Sequence, residues 1–452
     1  AVLKTNSETT IITLKDVLVN NIHLNGVGEI QTNTQNWEIT STNAELRDWL
    51  PLVPKIWRPD LDATNINGKS DAGISIMINN TVTEVLAKVS LKESGLSLPE
   101  ENIKLKDCTG QLVYRYNYSA NKTATTLQLI DIAASTKSGI ISLNATVDDL
   151  LAPKLSANGS FNLQVAELLS ITRPGLIKEA LGTVTGAFSY AQKFNNWDEL
   201  KSRALAEPKL QGNLSVANGS IRFVNSNLYL TDISADLEMR NKDLVINRLF
   251  IRESDSEFLL DGWFYNALYM GPQRPVPTLS VRLLSEYIDL NRIMAWEFPK
   301  RAETEATYSA NRTAPLAINF KLLLDVKHFN LIRFDGYNLK GEVWNDGLKI
   351  KGKQISLNGL DGSITGNFAW RTEPTGYHFW TKGELVKINI HQLFAGFENF
   401  GQDWLLADNI YGIGTTQLET SMAFDQDLNF IPTSLKLASD ITIDNGRLVG
   451  YK

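Results

Sequence analysis

Hydrophobic and polar residues alternate along most of this chain. In residues 233–240 the sequence ISADLEMR places its apolar side chains on one face of an extended strand and its polar side chains on the other. The same alternation returns in residues 244–264 and 348–370. Short runs of Asn, Asp, Ser and Gly, which favour hairpin turns, separate these segments at residues 241–243, 255–256, 345–347 and 358–359. The pattern predicts an antiparallel meander, so the fold class is expected to be mainly β.

A helical period of three to four residues is confined to a few places. Residues 175–206 carry apolar side chains at mixed three- and four-residue spacing, interrupted at Asn195-Asn196, and are predicted to form a helix-turn-helix insertion. Shorter helical segments are predicted at residues 44–50, 283–296 and 391–406. These segments are too few to cover a large sheet.

The helical segments mark an internal repeat. In each repeat an alternating strand passes directly into a short helix, and these closing segments are centred on Leu46, Val165, Leu290 and Ile390, between 100 and 125 residues apart. The predicted units are residues 1–52 (a partial first unit), 53–206 (a second unit, with the helical insertion), 207–300, 301–408 and 409–452 (the start of a further unit). The last unit contains a predicted turn at residues 444–446, and the natural chain is expected to continue beyond Lys452. Repeats of this kind rest mainly on their neighbours, so all units are expected to share one continuous sheet.

The predicted architecture is a long, curved, antiparallel meander sheet with short helices at the repeat ends. It would hold on the order of 30 strands and extend roughly 140 Å. Two arrangements of its apolar face stay open: a dry sandwich or barrel, or a repeating β-groove in which acyl lipid covers the face. The residues predicted to line the groove are Leu237, Met239, Leu244, Ile246, Leu249, Ile251, Phe258, Leu260, Leu348, Ile350, Ile355, Leu357, Ile364 and Phe368.

Composition and charge exclude several function classes. The net charge is −6, which provides no overall attraction for a polyanion, so nucleic acid is not expected as a partner. The single cysteine, Cys108, excludes an internal disulfide, and the four histidines lack the spacing of a zinc site. No nucleophile motif and no dinucleotide-binding glycine motif occurs. We therefore expect no catalytic residues, no metal and no cofactor, and hence a protein that is not an enzyme.

The tryptophans allow two interpretations. Trp263, Trp370 and Trp380 fall in predicted strands, where they either line the groove or pack within the sheet, and packing is favoured. Trp49, Trp296 and Trp404 lie in or beside the closing helices and are expected to hold each helix against the sheet edge. Membrane contact is the alternative for this second set.

Three segments resemble a known family. HQLFAGFENFGQDWLLADNIYG at residues 391–412, SEYIDLNRI at residues 285–293 and SDITIDNGRLVG at residues 439–450 are similar to periplasmic AsmA-like proteins of the wider AsmA and TamB group, Bacteroidota-type. The resemblance implies a repeating β-groove lipid-transfer protein in the periplasm, tethered by an inner-membrane anchor that is not in this chain. It also implies a role in moving phospholipid towards the outer membrane.

The leading hypothesis is therefore a lipid carrier whose partners are phospholipid or another acyl lipid and, through the anchor, a membrane. The alternative is a structural scaffold that docks an envelope protein complex. A third possibility, glycan binding, requires aromatic side chains grouped on a flat face, and the linear sequence shows no such group.

Overall fold

One sheet contains all the strands that the structure describes. The structure is a computed structural model that describes residues 2–6, 8–52, 64–98, 103–119, 122–172, 175–203, 209–269, 275–297, 318–346, 349–426 and 429–450. The strands are β1 Val2–Thr5, β2 Thr9–Val19, β3 Ile22–Gln31, β4 Thr34–Glu45, β5 Asn65–Asn79, β6 Val82–Leu98, β7 Ile103–Ser119, β8 Lys122–Ser135, β9 Ile140–Asp148, β10 Lys154–Gln164, β11 Ile177–Lys193, β12 Leu210–Phe223, β13 Tyr229–Arg240, β14 Asp243–Glu253, β15 Ser256–Tyr265, β16 Thr278–Asp289, β17 Asn319–Leu331, β18 Phe334–Asp346, β19 Lys349–Gly359, β20 Gly362–Glu373, β21 Gly376–Asn389, β22 Ile410–Phe424 and β23 Phe430–Leu448. The prediction of a mainly β, continuous meander is confirmed.

The helices are short, and those that close the repeats begin where the sequence places them. The α-helices are α1 Val165–Thr172, α2 Trp197–Arg203, α3 Leu290–Met294 and α4 Ile390–Gly396, and 3₁₀ segments occupy Leu46–Leu52, Glu398–Gly401 and Ala407–Asn409. The four predicted closing positions are thus the first residues of α1, α3, α4 and the first 3₁₀ segment. Asp289 and Asn389 start α3 and α4 as N-caps, since each side chain accepts a hydrogen bond from the backbone N–H three residues later.

The order of the strands fixes where the helices lie. Each strand pairs with its neighbours in chain order, and every pairing is antiparallel except that of β16 with β17. Strand direction alternates from β1 to β16, stays the same from β16 to β17, and alternates again from β17 to β23. Consequently β4, β10, β16 and β21, which lead into the closing helices, all end at the same long edge of the sheet. We call this edge the helical rim, and the opposite edge, where the β20–β21 and β22–β23 hairpins lie, the turn rim.

The same order explains the repeat spacing. From one closing helix to the next the sheet gains six strands (β5–β10), six strands (β11–β16) and then five (β17–β21). A unit of five antiparallel strands would end at the turn rim, but the parallel β16–β17 pair corrects the direction. The third interval along the sequence is shorter for this reason.

Bulges curve the sheet. In several strands one extra residue adopts positive φ, and its backbone N–H donates to a side-chain oxygen on the adjacent strand. The pairs are Asp16 with Asn25 (3.0 Å), Asn43 with Asp71 (2.9 Å), Asp131 with Asn144 (2.7 Å) and Gln354 with Asn367 (2.9 Å). A bulge bends its strand and increases the twist, so bulges repeated on successive strands give a curved sheet.

Bulges also account for three wrong predictions. Residues 177–193 form β11, not a helix: the bulge between Leu181 and Thr183 breaks the alternation and imitates helical spacing. Within the described residues of that insertion, only Trp197–Arg203 is helical, as α2. Residues 444–446 do not form a turn but a bulge inside β23, with Asn445 at φ 54°. The described strands are fewer than the 30 or so expected and longer, because pairing continues across each bulge.

Two other helix predictions were too long. Residues 283–289 complete β16, and α3 has only five residues. Residues 391–406 contain most of α4 followed by the 3₁₀ segment Glu398–Gly401, where Asn399 and Phe400 have positive φ and break the helix. Counted from one closing helix to the next, β11 is the first of the six strands that end in α3.

The buried core is concentrated near the helical rim. Its larger cluster runs from β14 to β21 and contains Val326, Phe329, Phe334, Leu360 and Ile388, with side chains of α3 and α4 packed against it. A smaller cluster surrounds Val184 and Leu163, where α1 covers β10 and β11. The helices therefore cover part of one face of the sheet along one edge.

Candidate functional site

An uncharged row of side chains crosses the sheet on one face. Residues that directly oppose one another across an antiparallel pair lie on the same face, which allows the row to be followed strand by strand. From β10 to β23 its members are Phe161, Gly186, Leu214, Leu237, Ile246, Gly262, Val281, Leu322, Val343, Gly352, Phe368, Thr381, Thr420 and Leu437. We call this side of the sheet the apolar face and the opposite side the outer face. Fourteen successive strands contribute no charged residue to the row.

The predicted groove residues share this face. The register places Leu237, Met239, Leu244, Ile246, Leu249, Ile251, Phe258, Leu260, Ile350, Ile355, Leu357, Ile364 and Phe368 on it, whereas Leu348 lies outside the described residues. Their role in holding a ligand stays a prediction.

The protein itself fills part of the predicted groove. Phe258, Leu260 and Ile246 belong to the buried cluster, and Trp296 after α3 meets Phe258 edge to face with ring centroids 6.1 Å apart. Phe258 and Leu260, towards the helical rim, are thus already covered, and Ile246, in the turn-rim half of β14, is also buried. Towards the turn rim, no described helix covers the apolar face of β19 and β20. The side chain of Ile350 in β19 is accordingly 36% exposed. Space for a ligand is therefore expected along the turn-rim half.

Aromatic side chains gather on the apolar face at this turn rim, and the sequence reading did not single them out as a group. Trp370 lies 5.3 Å from Tyr377, 6.0 Å from Phe379 and 5.4 Å from Phe424, measured between ring centroids. Phe424 in turn lies 6.0 Å from Phe430. Their positions near the end of β20, the start of β21, the end of β22 and the start of β23 are the only sequence signal, and it becomes visible once the register is known. Trp370 thus lies on the apolar face, whereas Trp263 and Trp380 lie on the outer face.

The apolar face disfavours charge. Burial raises the pKa of Tyr114, helped by the neighbouring Tyr116, and burial also raises the pKa of Tyr190. The carboxylate of Glu253, which is 1% exposed at the helical rim, accepts hydrogen bonds of 2.7 and 2.9 Å from Nε of Arg292 in α3. A buried carboxylate thus has a cationic partner supplied by a closing helix.

Trp49, Trp296 and Trp404 are expected to hold the closing helices against the sheet edge, and two of the three do so. Trp49 donates its indole N–H to Ser70 Oγ (3.0 Å), and Trp296 packs on Phe258, so both hold their helical segments to the sheet. Trp404 is 66% exposed, so the prediction is wrong there. The reason is local: Asn399 and Phe400 have positive φ and break the helical run before Trp404 is reached.

Comparisons with family models, curated proteins and solved structures find no match for this chain. Within the described ranges, no helix has the length and apolarity needed to cross a membrane. The same residues contain no group of three or more His, Cys, Asp or Glu side chains arranged to hold a metal ion. Cys108 is a buried thiol in β7, and burial together with Asp107 raises its pKa.

Proposed function

We propose that this protein binds phospholipid or another acyl lipid along its apolar face and supports lipid movement between the inner and outer membranes. The observation that supports this most directly is the uncharged row that continues through fourteen strands, with a turn-rim half that no described helix covers. A periplasmic location, an inner-membrane tether and AsmA-like ancestry are parts of the same proposal that rest on the sequence resemblance.

The physical basis is burial of methylene groups. Each CH₂ removed from water contributes about 0.8 kcal/mol, so a chain of about 16 carbons can be held without a specific polar pocket. The headgroup would remain in water beyond the turn rim. Selectivity for the headgroup is then low, and selectivity for acyl lipids over water-soluble ligands is high.

A non-transporting scaffold is the second candidate. It is favoured by a group of exposed apolar side chains after α4, namely Phe400, Trp404 and Leu406, which could contact a protein of the envelope. This candidate predicts no lipid in the apolar face.

Photo-crosslinking distinguishes the two candidates. A photoreactive residue placed at Ile350 on the apolar face should form phospholipid adducts in cells, because this side chain borders the uncovered half of the groove. The matched control is Leu323 in β17, which is 49% exposed on the outer face of the sheet and should form no phospholipid adducts. Extraction of the purified protein should release phospholipid in the same experiment.

Replacing Ile350 by Asp should lower the amount of bound lipid, whereas Leu323→Asp should leave it unchanged, since only the first places a charge against the acyl chains. Lipid-free protein with native circular dichroism would contradict the proposal. Equal adduct yields from both faces would show that binding is nonspecific.

A further inference from the structure

The outer face carries an unusual row of its own. Direct cross-strand pairs connect Trp263, Lys321, Trp344, Lys351, Trp380 and Lys436, with only serine or alanine at the three positions between them. We call this set the tryptophan row. It crosses nine strands, from β15 to β23, and at about 4.8 Å per strand its length is roughly 38 Å. The tryptophans recur on every third strand, so neighbouring indoles are roughly 14 Å apart along the row.

The three indoles are half-buried within the surface of the sheet. Around Trp263 the neighbours are themselves flat groups: Tyr265 stacks parallel to it at 5.6 Å, and the Arg240 guanidinium lies 5.4 Å from its ring centroid. The ring centroids of His378 and Trp380 lie 3.8 Å apart. Such indoles form part of a flat surface, in contrast to the protruding Trp404.

The charge of the row is entirely positive. Its nine positions include three lysines and no acidic residue, in a chain whose net charge is −6. Lys321 Nζ lies 3.6 Å from Glu342 of the next row, a solvent-exposed pair that is worth little and can be exchanged for another anion. Lys321 and Lys436 are exposed.

We propose that the tryptophan row binds an acidic polysaccharide that lies across the strands. The apolar C–H faces of sugar rings stack on indole rings, and carboxylates on the sugars pair with the lysines between them. The row is one residue wide and about 38 Å long, which suits an extended chain better than a compact ligand. This inference concerns the outer face and does not depend on lipid binding to the apolar face.

Two other polyanionic partners fit less well. Insertion into a bilayer needs aromatic side chains that project from the surface, and these indoles do not. A nucleic acid presents one phosphate every few Å, whereas the row supplies one lysine per roughly 13 Å. Widely spaced carboxylates on a sugar chain match this low density of positive charge.

The test is retardation of the intact protein in native gels that contain hyaluronate, which carries one carboxylate per disaccharide, with neutral dextran as the comparison. The wild-type protein should be retarded by hyaluronate at low salt, and retardation should decrease at high salt because exposed ion pairs are screened. Trp344→Leu and the double variant Lys321→Gln/Lys351→Gln should each weaken binding by about tenfold, since the first removes one of the three stacking contacts and the second removes two of the three charge contacts. Lys327→Gln is the matched control: it lies on β17, exposed and paired with Glu286 (2.6 Å), but outside the row, and should bind as wild type.

The glutamine variants retain the aliphatic part of the lysine side chain, so they keep the fold intact if Trp344→Leu does not. No retardation of the wild-type protein, or equal retardation of every variant, would overturn the proposal. Stronger binding to phosphatidylglycerol vesicles or to oligothymidylate than to hyaluronate would also overturn it.

Discussion

At the scale of single residues, glycines opposite aromatic rings shape the apolar face. In each case the ring lies over the glycine, and a Cβ on the glycine would come within 2.1 to 2.5 Å of a ring atom. The directly opposed pairs are Gly28 with Trp37, Gly186 with Phe161, Gly336 with Phe329 and Gly352 with Phe368. These glycines are thus needed for packing, although they are in strands, where glycine usually weakens the structure.

Gly352→Ala should therefore destabilise the protein, because the new methyl group would meet Phe368 at 2.1 Å. We expect a loss of about 1 to 3 kcal/mol, as for other overpacked cores, measured from the urea midpoint. Adding Phe368→Leu should recover part of this loss. The control is Gly73→Ala, since nothing lies within 4 Å of a Cβ there and the change should be neutral or slightly stabilising. Equal losses at both glycines would show that the contact with the Phe368 ring does not set the cost.

The same glycines limited what could be predicted from the sequence. A glycine at an apolar-face position interrupts the alternation, as Gly186 does in β11, and a bulge shifts it by one residue. Where neither occurs, as in residues 233–240, the predicted faces agree with the register. Alternation therefore identified many residues of the apolar face, but it could not identify the tryptophan row, whose members are adjacent only through pairing across nine strands.

At the scale of elements, the closing helices connect hairpins along the helical rim. Arg292 of α3 binds Glu253 in the β14–β15 hairpin, and the backbone after α3 contacts Asn227 between β12 and β13 at 2.7 and 2.9 Å. In α4, Gln392 donates to Asp361 in the β19–β20 turn (2.8 Å). The start of each helix was predictable because an apolar strand leads directly into it. The parallel β16–β17 pair was not, since no local pattern distinguishes it from an antiparallel pair.

Glu167 gives α1 a pH-dependent contact. Its carboxylate accepts hydrogen bonds from Thr136 Oγ1 (2.9 Å), from the Ser138 hydroxyl and from the N–H groups of Lys137 (3.1 Å) and Ser138 (2.9 Å) in the β8–β9 turn. Burial alone would raise the pKa of Glu167, but these hydrogen bonds outweigh it and hold the pKa below the ordinary value of 4.5.

Because the folded pKa is lower than the unfolded one, this contact stabilises the protein above about pH 4.5 and the stabilisation is lost as the pH falls through the folded pKa. Glu167→Gln should lower the free energy of unfolding at pH 7 by about 1 to 2 kcal/mol. Below pH 4.5 the thermal midpoints of the variant and the wild-type protein should converge. Glu384→Gln, an exposed position on the outer face, should have no comparable effect. A constant difference between Glu167→Gln and wild type from pH 7 to pH 3 would contradict this account.

At the scale of the whole molecule, the protein is extended. Its accessible surface is 27361 Å², whereas a compact protein of 50.4 kDa exposes about 17,000 Å². Each strand contacts its two neighbours, and β1 and β23 each pair on one side only within the described part of the chain. Stability in such an array is a sum of local terms, so it should vary along the sheet.

Hydrogen exchange should therefore report a gradient along the sheet. Protection is expected to be greatest from β14 to β21, where the large buried cluster lies, and lowest in β1 to β3 and in β23, whose Leu437 is 60% exposed. Val326→Ala should cost about 2 kcal/mol locally and reduce protection in β16 to β18, while exchange in β5 to β8 stays unchanged. Val184→Ala, at an equally buried position in the smaller cluster, should reduce protection only in β10 to β12 and leave exchange in β16 to β18 unchanged. If either substitution changed protection evenly from β1 to β23, the sheet would unfold as one cooperative unit, and the apolar face could not open locally to admit or release a lipid.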